Sequence, residues 1–391
     1  MICNMPLRFY EPPAPPVPET IETTLYTDGT LILNEKSSDR EANIALHGAV
    51  TKEYGEGPWV MTYNNQPWAS ESASVTSVQV GSEMKPTSTA YWFQGLTGAT
   101  SIDVSLLDTS EVTDMTYMFF GCNALTSLDV TGFDTSNVTS MWSLFDRCYV
   151  LDSIDVTGFD TSNVTDMRSM FGYCKVITSI DVTGFDTSNV TNMAGMFNQC
   201  AALTAVDLSG SSFDTSKVTD MSSMFAYGGF TSLDLSNFDT SNVTKMTSMF
   251  SDCKALTSVD VSSFNTRKVT NISSMFRNCF AIETLDLSNF FTPEVTDMNG
   301  AFINMASVKT INLANVTTPK VRNLATMFMN NANLEIIYAG TWSLPSSRIT
   351  GSNGVNVFFG CTKLSGGITY SASKTNYTYC KRVGGYFSAP V

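Results

Sequence analysis

The sequence predicts an α/β solenoid, with short parallel strands along one side and short helices along the other, on three observations. First, a unit repeats: Val112, Val138, Val164, Val190, Val218, Val243, Val269, Val295 and Val321 follow one another at intervals of 26, 26, 26, 28, 25, 26, 26 and 26 residues. A fixed period of about 20–50 residues is the mark of a repeat architecture. Second, Leu125, Leu128 and Val130 give an L-x-x-L-x-V pattern whose end alternates, which predicts a short strand with Asp129 pointing outward. Third, Val138, Met141, Leu144, Phe145 and Cys148 form one apolar stripe at helical spacing, with Ser136 or Thr139 as the cap.

Between the strand and the predicted helix lie Gly132, Phe133 and the run Asp134, Thr135, Ser136, Asn137, residue types that bond their own backbone and favour turns. One repeat therefore reads as strand, turn, short helix and return. Such a unit cannot bury its apolar edge alone and is stable only when neighbours stack on it. Strand rungs spaced about 4.8 Å apart and helices packed roughly 8–10 Å apart predict strands on the concave side and helices on the convex side, as in a leucine-rich repeat.

Taken in order, residues 1–22 are a proline-rich extended arm. It reads either as a tail or as an anchor peptide whose Met1, Leu7, Phe9 and Tyr10 insert into a larger assembly. Its start lacks the basic residues and apolar core of a secretory signal. Residues 23–99 predict a β-rich N-terminal cap, with a hairpin around Asp28–Gly29, a strand at Val75–Val80, and Tyr91, Trp92 and Phe93 as an apolar plug. Residues 100–331 hold nine 26-residue units, broken in register where Ser209–Ser212 adds two residues and Gly228–Gly229 removes one. Residues 332–391 predict a degenerate last repeat, with a strand at Leu334–Tyr338, and a C-terminal cap.

The 391 residues carry a net charge of −14, which argues against nucleic acid or an anionic membrane as partner. No stretch of about 18 apolar residues occurs, so no membrane insertion is expected. Six of the nine cysteines, Cys122, Cys148, Cys174, Cys200, Cys253 and Cys279, share one repeat position and are expected to be buried free thiols. No metal or cofactor is expected.

The segment FDTSNVTDM-x-x-MF-x-x-C, around Asp160 and its copies, resembles the BspA-like family of bacterial surface leucine-rich-repeat proteins with 26-residue repeats. PTSTAYWF at 86–93 is similar to that family's entry segment, and CTKLSGG with GGYF is similar to its closing segment. The resemblance implies display on a surface and adhesion to host proteins or other cells. It also extends to phage-encoded proteins, which leave the cell by lysis, so a chain without a secretory signal is expected on a virion surface. There the arm would join virion structural proteins. A bacterial cell-surface adhesin is one alternative, and a virion decoration or stabilising subunit without a receptor role is another.

The candidate binding residues are one acidic row, Asp103, Asp129, Asp155, Asp181, Asp207, Asp234, Asp260 and Asp286, at the outward strand position of successive repeats. Ser and Thr rows border it. Three readings stand: solvated carboxylates that keep an exposed sheet face from aggregating, a site for a basic protein segment or polar glycan on a host or bacterial surface, or a calcium site. A second row, Asp108, Asp134, Asp160, Asp186, Asp214 and Asp239, reads as turn formers. Catalysis has little support, because the carboxylates repeat identically and His47, the single histidine, has no nucleophile motif nearby. The sequence thus predicts a non-enzymatic recognition protein.

Overall fold

A computed structural model describes residues 23–33, 40–54, 61, 65–81, 83–340 and 342–390. The expected anchor residues Met1, Leu7, Phe9 and Tyr10 lie outside the described residues. The chain divides into two compact units, residues 1–186 and 187–391, and the division falls inside an F-D-T-S-N-V-T segment.

Unit 1 opens on the expected hairpin, in which β1 (Thr23–Tyr26) and β2 (Thr30–Leu33) pair antiparallel. Gly29 sits at φ +88° with the Ser74 carbonyl 2.6 Å from where a Cβ would lie, so the turn admits no side chain. A helix, α1 (Arg40–His47), leads to β3 (Val50–Tyr54), which pairs antiparallel with β1. On the other edge β4 (Ser77–Val80) and β5 (Ser101–Asp103) add in parallel, giving the order β3-β1-β2-β4-β5. The repeats after β5 keep the strand-side alternation, with Leu128 and Val130 buried and Asp129 exposed between them.

The helices expected on the other side are absent, and the α/β assignment is corrected there. Among the described residues of the repeats no α-helix occurs. The V-T-x-M-x-x-M-F-x-x-C segment is a string of tight turns that doubles as a second parallel ladder. In the repeat at 139–148, the N–H groups of Met141, Ser143, Phe145 and Arg147 donate to the carbonyls of Asp166, Arg168, Met170 and Gly172 in the next repeat, at 3.0, 2.8, 2.9 and 2.8 Å. The alternate donors, Leu144, Asp146 and Cys148, bond the carbonyls of Met141, Ser143 and Phe145, three residues back, at 3.2, 3.2 and 3.3 Å. Ser143 and Arg147, at φ +53° and +63°, are the third residues of two of these turns, the position that a type II turn places at positive φ.

A helix would close every N–H on its own chain four residues back. Here alternate N–H groups reach the neighbouring repeat, so the turn side is held at hydrogen-bonded rung spacing and the expected 8–10 Å helix spacing does not apply. The apolar stripe still faces inward: Val138, Met141, Leu144, Phe145 and Cys148 are fully buried. Thr139, expected as a helix cap, instead directs its N–H and hydroxyl at the Thr113 carbonyl of the preceding repeat, at 2.8 and 3.0 Å.

Three further contacts tie repeat to repeat. Phe119, Phe145 and Phe171 stack in file, with ring centroids 5.8 Å apart at each step. The buried thiol of Cys148 donates to the Phe119 carbonyl at 3.2 Å, and that of Cys174 to the Phe145 carbonyl at 3.3 Å. Burial pushes the Cys148 thiol up to about 12. The six cysteines of the repeat position are free and buried as expected, and so are Cys361 and Cys380. The Thr135 hydroxyl, buried to 1% exposure, donates to the Asp160 carbonyl at 2.9 Å, and Thr109 and Thr161 repeat the bond to Asp134 and Asp186. Replacing Thr135 with Val keeps the shape and orphans that carbonyl. A loss of about 1–2 kcal/mol is expected, read as a lowered thermal midpoint against wild type.

Unit 2 repeats this construction. Its strand side pairs β6 (Ser232–Asp234) with β7 (Ser258–Asp260), and stacks β8 (Thr284–Asp286), β9 (Thr310–Leu313), β10 (Ile336–Ala339) and β11 (Phe387–Ser388) in that order, each parallel to the next. Its turn side stacks Phe197, Phe225, Phe250, Phe276, Phe302, Phe328 and Phe358. Where Gly228 replaces the repeat cysteine, Phe230 is fully buried and sits edge-on to Phe225 at 5.6 Å, which explains the shift in register. Turn rungs also lie outside 100–331. Residues 89–95 bond to the rung of Asp114–Phe120 in unit 1, and residues 353–359 bond to that of Leu324–Asn330 in unit 2.

Candidate functional site

The strand-side aspartates are exposed in both units: Asp103, Asp129, Asp155 and Asp181 in unit 1, and Asp207, Asp234, Asp260 and Asp286 in unit 2. Each is also part of a turn. Asp129 Oδ1 accepts the N–H of Thr131 at 3.0 Å and its hydroxyl at 2.6 Å. Asp155, Asp181 and Asp207 do the same with Thr157, Thr183 and Ser209. Asp103, Asp234, Asp260 and Asp286 accept the N–H groups of Ser105, Ser236, Ser262 and Ser288 at 2.8–3.0 Å. These are Asx-turns, and they fix both the backbone and the carboxylate.

The same bonds favour ionisation. The hydroxyl and then the N–H of Thr131 hold Asp129 below the usual carboxylate range, and Asp155, Asp207 and Asp234 are lowered in the same way. In Asp260 the N–H of Ser262 leads and its hydroxyl follows. Neighbouring charges push back: Asp155 feels Asp181 and Asp129, and Asp234 feels Asp260. Within each unit the exposed carboxylates form a series of fixed negative charges.

Among the described residues no group of three or more His, Cys, Asp or Glu side chains converges as a metal site would require. The second aspartate row forms turns as expected: Asp134 and Asp160 each accept the N–H and hydroxyl of Ser136 and Ser162. The asparagine of the motif is consumed too, since Asn137 donates to the Ser110 carbonyl at 2.8 Å and Asn163 to that of Ser136 at 2.7 Å. His47 is held at the β1–β2 hairpin, with Nδ1 2.9 Å from Asp28 Oδ2 and 3.2 Å from Thr30 Oγ1.

One feature escaped a reading based on period, because departures from the repeat create it. On the turn side of unit 1, Tyr91 and Tyr117 stack at 5.4 Å and Tyr117 meets the edge of Trp142 at 5.0 Å. Arg168 lies over Trp142 at 4.0 Å, pinned by hydrogen bonds to both oxygens of Asp166. In unit 2 the position of Trp142 is occupied by Ala194, Ser222, Thr247, Ser273, Asn299 and Ala325. The signal in the sequence is the placing of Tyr, Trp and Arg where other repeats carry small polar residues.

The family described as Mycoplasma protein of unknown function, DUF285, matches residues 87–207, 176–285, 202–313 and 255–365, together more than half of the chain. A leucine rich cell surface protein from Faecalibacterium prausnitzii A2-165 is similar in structure at 17% identity, over 92% of this chain and 96% of that chain, with a TM-score of 0.37. A leucine-rich-repeat protein from Eubacterium ventriosum ATCC 27560 is similar at 14% identity, over 83% of this chain and 84% of that chain, with a TM-score of 0.34. No curated protein sequence matches the chain.

Proposed function

This chain belongs to the family described as Mycoplasma protein of unknown function, DUF285, and from that premise we propose that it is a non-enzymatic, surface-exposed recognition protein. It holds a basic protein segment or a polar glycan of a host or bacterial surface through the strand side of its repeats. The observation that carries this reading is the row of exposed carboxylates, each fixed by an Asx-turn and bordered by hydroxyls. Groups already held in place lose little freedom on binding, which favours affinity. Within each unit their repetition suits an extended complementary surface, whereas an active site is a singular constellation.

Charge reversal tests it. The Asp155→Lys, Asp181→Lys, Asp207→Lys variant is expected to lose binding of the labelled chain to host and bacterial cells, while wild type binds. Equal binding by the two removes the strand side as the contact. The narrower reading, a virion-attached host-binding or decoration protein, draws support from the proline-rich residues 1–22. Mass spectrometry of purified phage particles tests that part: the chain should copurify with the particles, and its confinement to cell-wall fractions would end the phage version.

A further inference from the structure

We propose that the turn side of unit 1 carries a second recognition site, centred on Arg147 and Lys175, that binds an acidic segment of a partner protein. This goes beyond the strand-side reading and stands independently of it. The guanidinium of Arg147 lies 5.1 Å from the ring centre of Phe120 and 5.5 Å from that of Tyr173. The Tyr173 ring lies 6.3 Å from Tyr149, edge to face, and the Lys175 ammonium sits 4.7 Å over Tyr149. Two cations are thereby seated on one continuous set of rings. Both are exposed, and among the described residues neither forms an ion pair.

Three observations turn this packing into a site. The cations are positioned beforehand. The Arg147 guanidinium rests against two rings, Phe120 and Tyr173, on a backbone fixed by the bond to the Gly172 carbonyl, so it loses less freedom on pairing than that of a loose surface arginine. The carboxylate that feels the Arg147 charge, that of Asp146, is itself only 8% exposed and makes no ion pair with it, so the exposed guanidinium is open to an incoming anion. Finally, unit 2 uses the same repeat position differently: Asn278, Asn304 and Asn330 hand amide hydrogen bonds from repeat to repeat, starting on Asp252, at 2.7, 2.8 and 2.9 Å. In those three repeats the side chain is consumed by the fold, whereas Arg147 presents its charge.

The chemistry of the occupant follows from what is offered. One face each of Phe120, Tyr173 and Tyr149 is engaged by a cation, and the phenol hydroxyls of Tyr149 and Tyr173 can donate hydrogen bonds beside those cations. With Arg147 and Lys175 they make a cationic, donor-rich patch on a chain of net charge −14. A carboxylate pairs with a guanidinium through two parallel hydrogen bonds, and Tyr with Arg is the composition that dominates protein–protein contacts. An acidic peptide segment satisfies both features, while a neutral sugar leaves the two positive charges unpaired.

The test uses the full chain and a labelled oligo-glutamate peptide, with heparin as the competing anionic glycan, in fluorescence anisotropy at low salt. Wild type is expected to bind the peptide saturably. Arg147→Gln with Lys175→Gln should weaken it by about tenfold or more, because both removed groups are exposed charges in the contact. Lys175→Gln alone, at an exposed side chain, should weaken it in part. Thermal melts superimposable on wild type confirm that each variant is folded. Absence of saturable peptide binding by wild type, equal binding by the folded variants, or capture of heparin in place of the peptide would each overturn the proposal.

Discussion

Phe250→Ala is expected to destabilise unit 2 by about 3–5 kcal/mol, the cost of emptying a large buried aromatic site. Phe250 is fully buried, with Phe225 at 5.8 Å and 2° on one side and Phe276 at 5.1 Å and 20° on the other. The lost ring therefore breaks two stacking contacts as well as leaving a cavity. Backbone hydrogen bonds join this rung to both neighbours, from Ser223 and Phe225 to Thr247 and Met249 and from Ser248 and Phe250 to Ser273 and Met275, and they hold the cavity open against collapse. Denaturant unfolding followed by circular dichroism reads the effect, and a loss below about 1 kcal/mol would show that the ring file is not a major source of stability.

Asp146→Asn is expected to raise the stability of unit 1 at neutral pH, by up to about 3 kcal/mol. The Asp146 carboxyl is buried at 8% exposure, its Oδ1 has no hydrogen-bond partner among the described residues, and a Cβ at Gly172 would lie 3.0 Å from that oxygen. Burial pushes its pKa from 3.8 up to about 6, against the opposing pull of the Ser143 hydroxyl and the Arg147 charge. A raised carboxyl pKa means that the folded chain holds the proton more tightly than the unfolded one. The associated stability is fully present below about pH 4 and is lost as pH rises through about 6.

The thermal midpoints of wild type and Asp146→Asn should therefore lie close together near pH 4 and separate as pH rises to 7, with the variant the more stable. Asn198 stands at the same repeat position in unit 2, so an amide fits this place in a rung. A constant difference across that range would contradict a buried, titrating carboxyl at 146. The strand-side aspartates act in the opposite sense. The lowered pKa values of Asp129 and Asp155 contribute stability above about pH 4 that is lost as pH falls, which is why the comparison is made between variant and wild type.

Period and alternation made the inside of the repeat legible. Every member of the stripe Val138, Met141, Leu144, Phe145, Cys148 is buried, and Asp129 stands exposed between buried Leu128 and Val130. The backbone behind that stripe was not legible from apolar spacing, since a file of turns and a helix can present the same residues inward. The missed signal was the placing of Gly and Asn at two fixed repeat positions, four residues apart. Gly195 and Gly300 at the first, with Gly95, Gly121, Gly360, Asn278, Asn304 and Asn330 at the second, all sit at positive φ. A helix has no place for a left-handed residue in its interior.

The polar half of the motif hid its role for a related reason. Thr135, Asn137 and Thr139 look like surface residues in F-D-T-S-N-V-T, yet each bonds a carbonyl of an adjacent repeat. Only stacking creates those partners, so a single repeat gives no hint of them. The exposed remainder, the strand-side carboxylates in both units and the ring-seated cations of unit 1, is where the two proposed recognition surfaces lie. The first was legible because it repeats, and the second was not because it departs from the repeat.

Far-UV circular dichroism of the purified full chain tests the double ladder most directly. With α1 as the one α-helix among the described residues, strands and turns should dominate the spectrum, and the paired minima of α-helix should be weak. A strong helical double minimum, as nine strand-and-helix repeats would give, would contradict it and return the turn side to helices.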